Sequence, residues 1–244
     1  MDENALQNII TALEGSEQWQ EWIQRLDNGV GTYSEVNDIA EMVGDEIARQ
    51  LSLNYSGEQL EAYAQAGHDL IVMASEVAQQ NLNDAAHIGI KPKVTKYPKA
   101  KVKALADSLA EVDPELLPTE IKDAVPSFVM SMVDDIVKYN ADFQAKAGLS
   151  PVIVRTWSGS FPSHDTKHTD WCHELAGTYA YGKEPSRVYA RHKGCRCKVE
   201  YFPDRKTRGR ITALSKGEID RDSVLWNTRS DTLEARVRKA NRKK

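Results

Sequence analysis

Two of the chain's three cysteines stand beside a histidine within six residues, in His192-Lys193-Gly194-Cys195-Arg196-Cys197. So dense a group of soft ligands constrains the fold more than any other stretch, because a chain that turns this tightly has to point them at a common centre. Gly194 suits the turn. A second group lies upstream, with His164, His168, Cys172 and His173 in a segment of similar polarity. The two groups can close a tetrahedral site from opposite sides. Three cysteines is an odd number, and Cys195 and Cys197 are too close in sequence for an easy mutual disulfide, so reduced thiolates are the expectation.

His168 and Cys172 are four residues apart, and on a helical turn they share a face. With Cys195 and Cys197 they make a set of three cysteines and one histidine, the donor pattern of closed, structural zinc sites. His192 is the main rival for the histidine seat, with His164 and His173 behind it. Structural zinc would contribute on the order of 10 kcal/mol to folding the surrounding module. The competing reading is three buried free cysteines, since cysteine is among the residue types most often buried.

Before this region the chain reads as helix after helix. Leu6, Ile9, Ile10 and Leu13 keep a helical period, and Ser16 offers an N-cap for a helix with Trp19, Trp22, Ile23 and Leu26 on one face, closed by Asn28-Gly29. Thr32 and Glu35, then Ser56 and Gln59, have capping-box spacing ahead of two longer amphipathic runs. Two prolines and five lysines between residues 89 and 101 read as a linker or exposed loop. Helix resumes from Val102, breaks at Asp113-Pro114 and again at Pro126, and ends at Gly148. Strands are expected at 152–157, 187–191 and 198–202, where β-branched and aromatic residues alternate. The fold class is therefore α+β, mostly α: a helical domain over 1–150, a small β-rich, zinc-stapled Cys/His module over 151–203, and a basic, partly flexible tail over 204–244 that orders on a partner.

Charge is segregated along the chain. Residues 1–90 hold 16 Asp and Glu against Arg25 and Arg49 alone, whereas residues 205–244 hold 13 Lys and Arg against 5 acids. The acidic end should repel nucleic acid. Arg205, Lys206, Arg208, Arg210, Arg236, Arg238, Lys239, Arg242, Lys243 and Lys244 are the candidate contacts to DNA phosphates. No apolar run approaches the roughly 20 residues that span a bilayer, and the first residues are acidic where a signal peptide is basic, so no membrane partner is expected and the chain is placed in a cytoplasm.

The C-terminal module resembles the Mu F-like, head morphogenesis family of tailed-phage minor capsid proteins. The resemblance rests on Trp157 after a strand, on Asp170, Cys172, Leu175 and Gly177, and on His192, Cys195, Arg196 and Cys197, and it spans about residues 135–203. Thr169 stands where members often carry a first cysteine, so the fourth ligand would be a histidine, and Lys193 replaces the usual proline. The resemblance implies a non-enzymatic minor head protein inside the virion, made in the host cytoplasm. Its implied partners are the portal protein, other head proteins and packaged double-stranded DNA, and its role head assembly or DNA ejection. The alternative is a zinc-stabilised nuclease or toxin-like domain, suggested by His164, Asp165, His168 and Asp170 lying close together. A sequence-specific zinc regulator is weaker, because the spacings of known fingers are missing.

Overall fold

Ser16, Thr32 and Ser56 each accept a hydrogen bond from a backbone N–H in the first turn of the helix that follows, at 3.4, 3.2 and 3.1 Å. These caps start α2 (Glu17–Asp27), α3 (Tyr33–Leu53) and α4 (Gly57–Ala85), which follow α1 (Glu3–Leu13). Glu35 completes a capping box by accepting the Thr32 N–H at 2.6 Å. Gln59 does not reciprocate at Ser56, and its Oε1 is buried without a hydrogen-bond partner. The computed structural model describes residues 3–159 and 170–216, together with Leu233 and Val237.

Helices α5 (Lys99–Ala110) and α6 (Leu117–Lys146) complete the helical body. The break expected at Pro126 does not occur, and α6 runs straight through it. Proline denies Lys122 its usual N–H partner, yet Pro126 is buried where α3 and α6 approach most closely: a Cβ on Gly44 would lie 2.6 Å from Pro126 Cα. Packing outweighs the local cost there. Gly148 closes α6 at φ 90°, its N–H donating to Ala145 and that of Leu149 to Gln144. The same closure ends α4 with His87 at φ 57°, which gives this isolated histidine a conformational role.

Residues 89–98, expected as a linker or exposed loop, have no regular structure and are tied to the helical body. Asn140 on α6 binds both the N–H and the carbonyl of Lys93, at 3.1 and 2.8 Å, and Tyr97 packs edge-on against buried His68. The last part of the expected loop, from Lys99, is already helical.

Strands β1 (Val152–Thr156), β2 (Gly177–Ala180) and β3 (Lys198–Phe202) form an antiparallel sheet in the order β2-β1-β3, with Ile153 opposite both Tyr179 and Tyr201. The strand expected at 187–191 is instead a pair of turns, closed by Val188 N–H to Pro185 and Ala190 N–H to Arg187. Its alternation misled because Val188 and Arg191 both point inward from a turn. The second strand is Gly177–Ala180, a stretch whose small residues carry little strand signal. Val152, Ile153, Val154, Val199, Tyr201 and Phe202 join one continuous core with the helices. A buried polar chain crosses the same boundary: Tyr33 donates to Gln79, which donates to Tyr201 and Asn83.

Beyond β3 the described part of the tail packs on the body. Residues Arg205–Ser215 form α8, packed on α4 and β3 with Thr207 and Ile211 buried, and Leu233 and Val237 are helical and buried in the same core. Among the described residues no helix is long and apolar enough to cross a membrane.

Candidate metal centre

The turn at His192–Cys197 leads directly into β3 and is clamped from both sides. Gly194, at φ 73°, donates its N–H to the Asp123 carbonyl of α6 at 3.0 Å, and Ser127 donates to the Cys195 carbonyl at 3.4 Å. Lys193 pairs with Glu120 on the same helix. On the other side Arg196 reaches α3, 2.6 Å from Asp45 and 3.7 Å from Glu41. Arg191 enters the interior and meets Asp134 through two hydrogen bonds of 2.5 and 2.8 Å, while a third, at 2.6 Å, goes to the Cys197 carbonyl.

Cys172 arrives from α7 (Asp170–Glu174). Its Sγ lies 3.6 Å from that of Cys195 and 3.2 Å from that of Cys197, and all three cysteines are free and buried. A disulfide would need about 2.05 Å, so these sulfurs are unbonded. Sulfurs on a tetrahedral zinc with bonds of about 2.3 Å lie roughly 3.8 Å apart, which is close to the spacing found. His192 joins the group: a ring nitrogen, Cys172 Sγ and Cys195 Sγ all lie within 4.8 Å of one another. Its Nδ1 is 2.7 Å from the Lys193 carbonyl. A carbonyl only accepts, so Nδ1 is the donor here, and in the neutral ring that leaves Nε2 as the nitrogen with a lone pair for a metal. Cys172, His192, Cys195 and Cys197 thus lie close enough together to hold a metal ion.

Trp157 and Trp171 pack around the sulfurs. Trp157 stacks edge-on with His173 at 4.7 Å, Trp171 does so with His192 at 5.7 Å, and the Arg187 guanidinium sits 4.1 Å from the Trp171 ring centre. His173 is exposed and outside the ligand group, so it holds a tryptophan instead. His164 and His168 lie outside the described residues, as does Asp165.

Arg155, which sequence reasoning missed, is 2% exposed and touches the cluster from β1. It donates to Cys172 Sγ at 3.0 Å and to Cys195 Sγ at 3.7 Å, and its other terminal nitrogen donates to the Val188 carbonyl. Burial opposes its charge, but the bond to Cys172 and the charge on the sulfurs outweigh that and raise its pKa. The signal was present in the sequence: a charged residue shares a strand face with Ile153 in an otherwise apolar run. Among the sulfurs, hydrogen bonding with Cys172 and then Cys195 pushes the Cys197 thiol down, whereas hydrogen bonding with Cys172 and then Cys197 pushes the Cys195 thiol up.

The candidate DNA contacts divide. Arg205, Lys206 and Arg208 are exposed on α8, with Arg208 held by Thr178 at 3.1 Å. Arg210 donates to the Ala85 carbonyl at 2.6 Å and so caps α4. Arg236, Arg238, Lys239, Arg242, Lys243 and Lys244 lie outside the described residues. No family model matches this chain, and neither a curated protein nor a solved structure matches it.

Proposed function

We propose that this chain is a minor head protein of a tailed phage, a non-enzymatic component of the virion interior that contacts the portal, other head proteins and packaged DNA. In this reading zinc, bound by Cys172, Cys195, Cys197 and His192, staples the C-terminal module. The observation that carries it is convergence: Trp157, Cys172, His192, Cys195 and Cys197, which bear the family resemblance across some 40 positions of sequence, meet at one buried cluster. Two further residues of the resemblance fit the same picture. Arg196 ties the turn to α3, and Gly177 leaves room for Tyr179, whose hydroxyl would lie 2.9 Å from a Cβ there as it reaches back to the Leu175 carbonyl.

Four protein donors fill a tetrahedral ion, leaving no position for a reacting water, which favours a structural over a catalytic role. Of the grouping behind the nuclease alternative, His164, Asp165 and His168 lie outside the described residues.

Metal analysis of the purified full-length protein should find one zinc per chain, lost in Cys195→Ser together with protection of the module from proteolysis. A metal-free wild-type protein that is fully folded would end the reading. For the DNA role, mobility shifts on unrelated duplexes should show affinity that falls with salt. Replacing Arg236, Arg238, Lys239, Arg242, Lys243 and Lys244 by glutamine should weaken binding and flatten the log–log salt slope by up to about 5, at about 0.9 per phosphate contact. Binding that is indifferent to salt, or to these substitutions, would remove the tail from the reading.

A further inference from the structure

Arg155 is the largest fully buried side chain of the described residues, and a buried guanidinium needs a counter-charge. The other buried arginine, Arg191, has one in Asp134. Arg155 has none of that kind: among the described residues no carboxylate lies within ion-pair reach, and its Nε makes no hydrogen bond. Its partners are one carbonyl and the sulfurs of Cys172 and Cys195. Among the described residues, the groups in direct contact with it that can carry the balancing negative charge are the sulfurs of Cys172 and Cys195, with the charge of Asp134 farther off and already paired to Arg191.

From this balance we infer that Arg155 is the outer-sphere charge partner of the metal centre, and that the centre carries one net negative charge: a divalent ion, three thiolates and one neutral ligand. Three thiolates contribute three negative charges and the ion two positive ones, so the guanidinium brings the buried site to neutrality. Two cysteines with two histidines would leave Arg155 uncompensated, and a fourth thiolate would leave a charge unmatched. The inference rests on the metal reading above and adds to it the charge of the donor set and the residue that sets it. Arg155 touches sulfur and not the ion, so it is a positioning residue. Its Nη2 faces both Cys172 Sγ and Cys195 Sγ and so helps to orient the two sulfurs.

Cobalt substitution of the full-length protein tests this. The wild-type Co²⁺ adduct should be tetrahedral, with sulfur-to-cobalt charge-transfer intensity that corresponds to three thiolates. Arg155→Met should weaken Co²⁺ and Zn²⁺ binding, measured by chelator competition, by roughly 10- to 100-fold, the usual loss on removing an outer-shell partner. Arg155→Lys, which keeps the charge, should recover part of that loss. Equal metal affinity in Arg155→Met and wild type would overturn the inference while leaving the metal site standing. Charge transfer from only two thiolates in the wild type would overturn it as well, and needs no variant to fold. A wild type that binds no cobalt or zinc would end both the site and the inference.

Discussion

Glu200 shows how one side chain ties the sheet to the helical body at a cost. It lies on β3 beside the N-terminus of α3, where Thr32 Oγ1 is 3.4 Å from its carboxylate. Burial, and then the nearby charge of Glu35, raise its pKa to about 7, against the opposing pull of Lys198, Thr32 and Arg208. An acid raised above its unfolded value of about 4.3 binds its proton more tightly when folded. Its contribution to stability is whole below that value and is lost as pH rises through 7. A shift of this size carries about 4 kcal/mol in full at 1.36 kcal/mol per unit; the side chain is only partly buried, and solvent screening trims it. Glu200→Gln should therefore raise the urea-unfolding free energy by about 1–2 kcal/mol at pH 8 and bring no gain at pH 4.5. An equal difference at the two pH values would sink the assignment.

Among the elements, the crossing of α3 and α6 sets the position of everything attached to them. Gly44 exists there because α6 backbone occupies the space of its missing Cβ. Alanine in a helix interior is normally favourable over glycine by about 1 kcal/mol. At Gly44 the clash reverses the sign, and Gly44→Ala should destabilise by about 1–3 kcal/mol, the usual range for overpacking. On α8 a Cβ added at Gly209 would meet nothing within 4 Å, so Gly209→Ala should stabilise by up to about 1 kcal/mol. Thermal unfolding of the two variants side by side checks the contrast; shifts of the same sign would refute it. The crossing also prepares the Cys/His turn, because Asp123 and Ser127, which hold Gly194 and Cys195, flank Pro126 on α6.

For the whole molecule, part of the segregated charge is used internally. Asp38, Glu41 and Asp45 on α3 are not only a solvated acidic face: Lys198 lies 2.7 Å from Asp38, and Arg196 bridges the other two. Part of the acidic half thus finds its basic partner in the chain's own Cys/His turn. The basic end behaves likewise, since Arg210 is spent on α4 and the backbone N–H of Leu233 donates to Asp27 at 2.6 Å. Removing residues 205–244 would strip buried Thr207, Ile211, Leu233 and Val237 from the core. Charge neutralisation rather than truncation is therefore the informative test of the proposed DNA binding.

Sequence by itself determined the local features: the caps at Ser16, Thr32 and Ser56, the glycine stop at Gly148, two of the three strands, and the residue types gathered at the turn. Each depends on chemistry within a few residues of chain, which spacing and composition express directly. Tertiary structure decided what depends on distant partners. It carried α6 through Pro126 because burial against Gly44 outweighs one lost hydrogen bond, turned 187–191 away from the sheet because Arg191 is drawn to Asp134, and folded 205–215 onto the body. It also brought His192 to Cys172 and Cys195, and set Arg155 against their sulfurs. A histidine is a ligand, and an arginine a counter-charge, only through what stands beside it in space, and here those neighbours come from as many as 40 residues away.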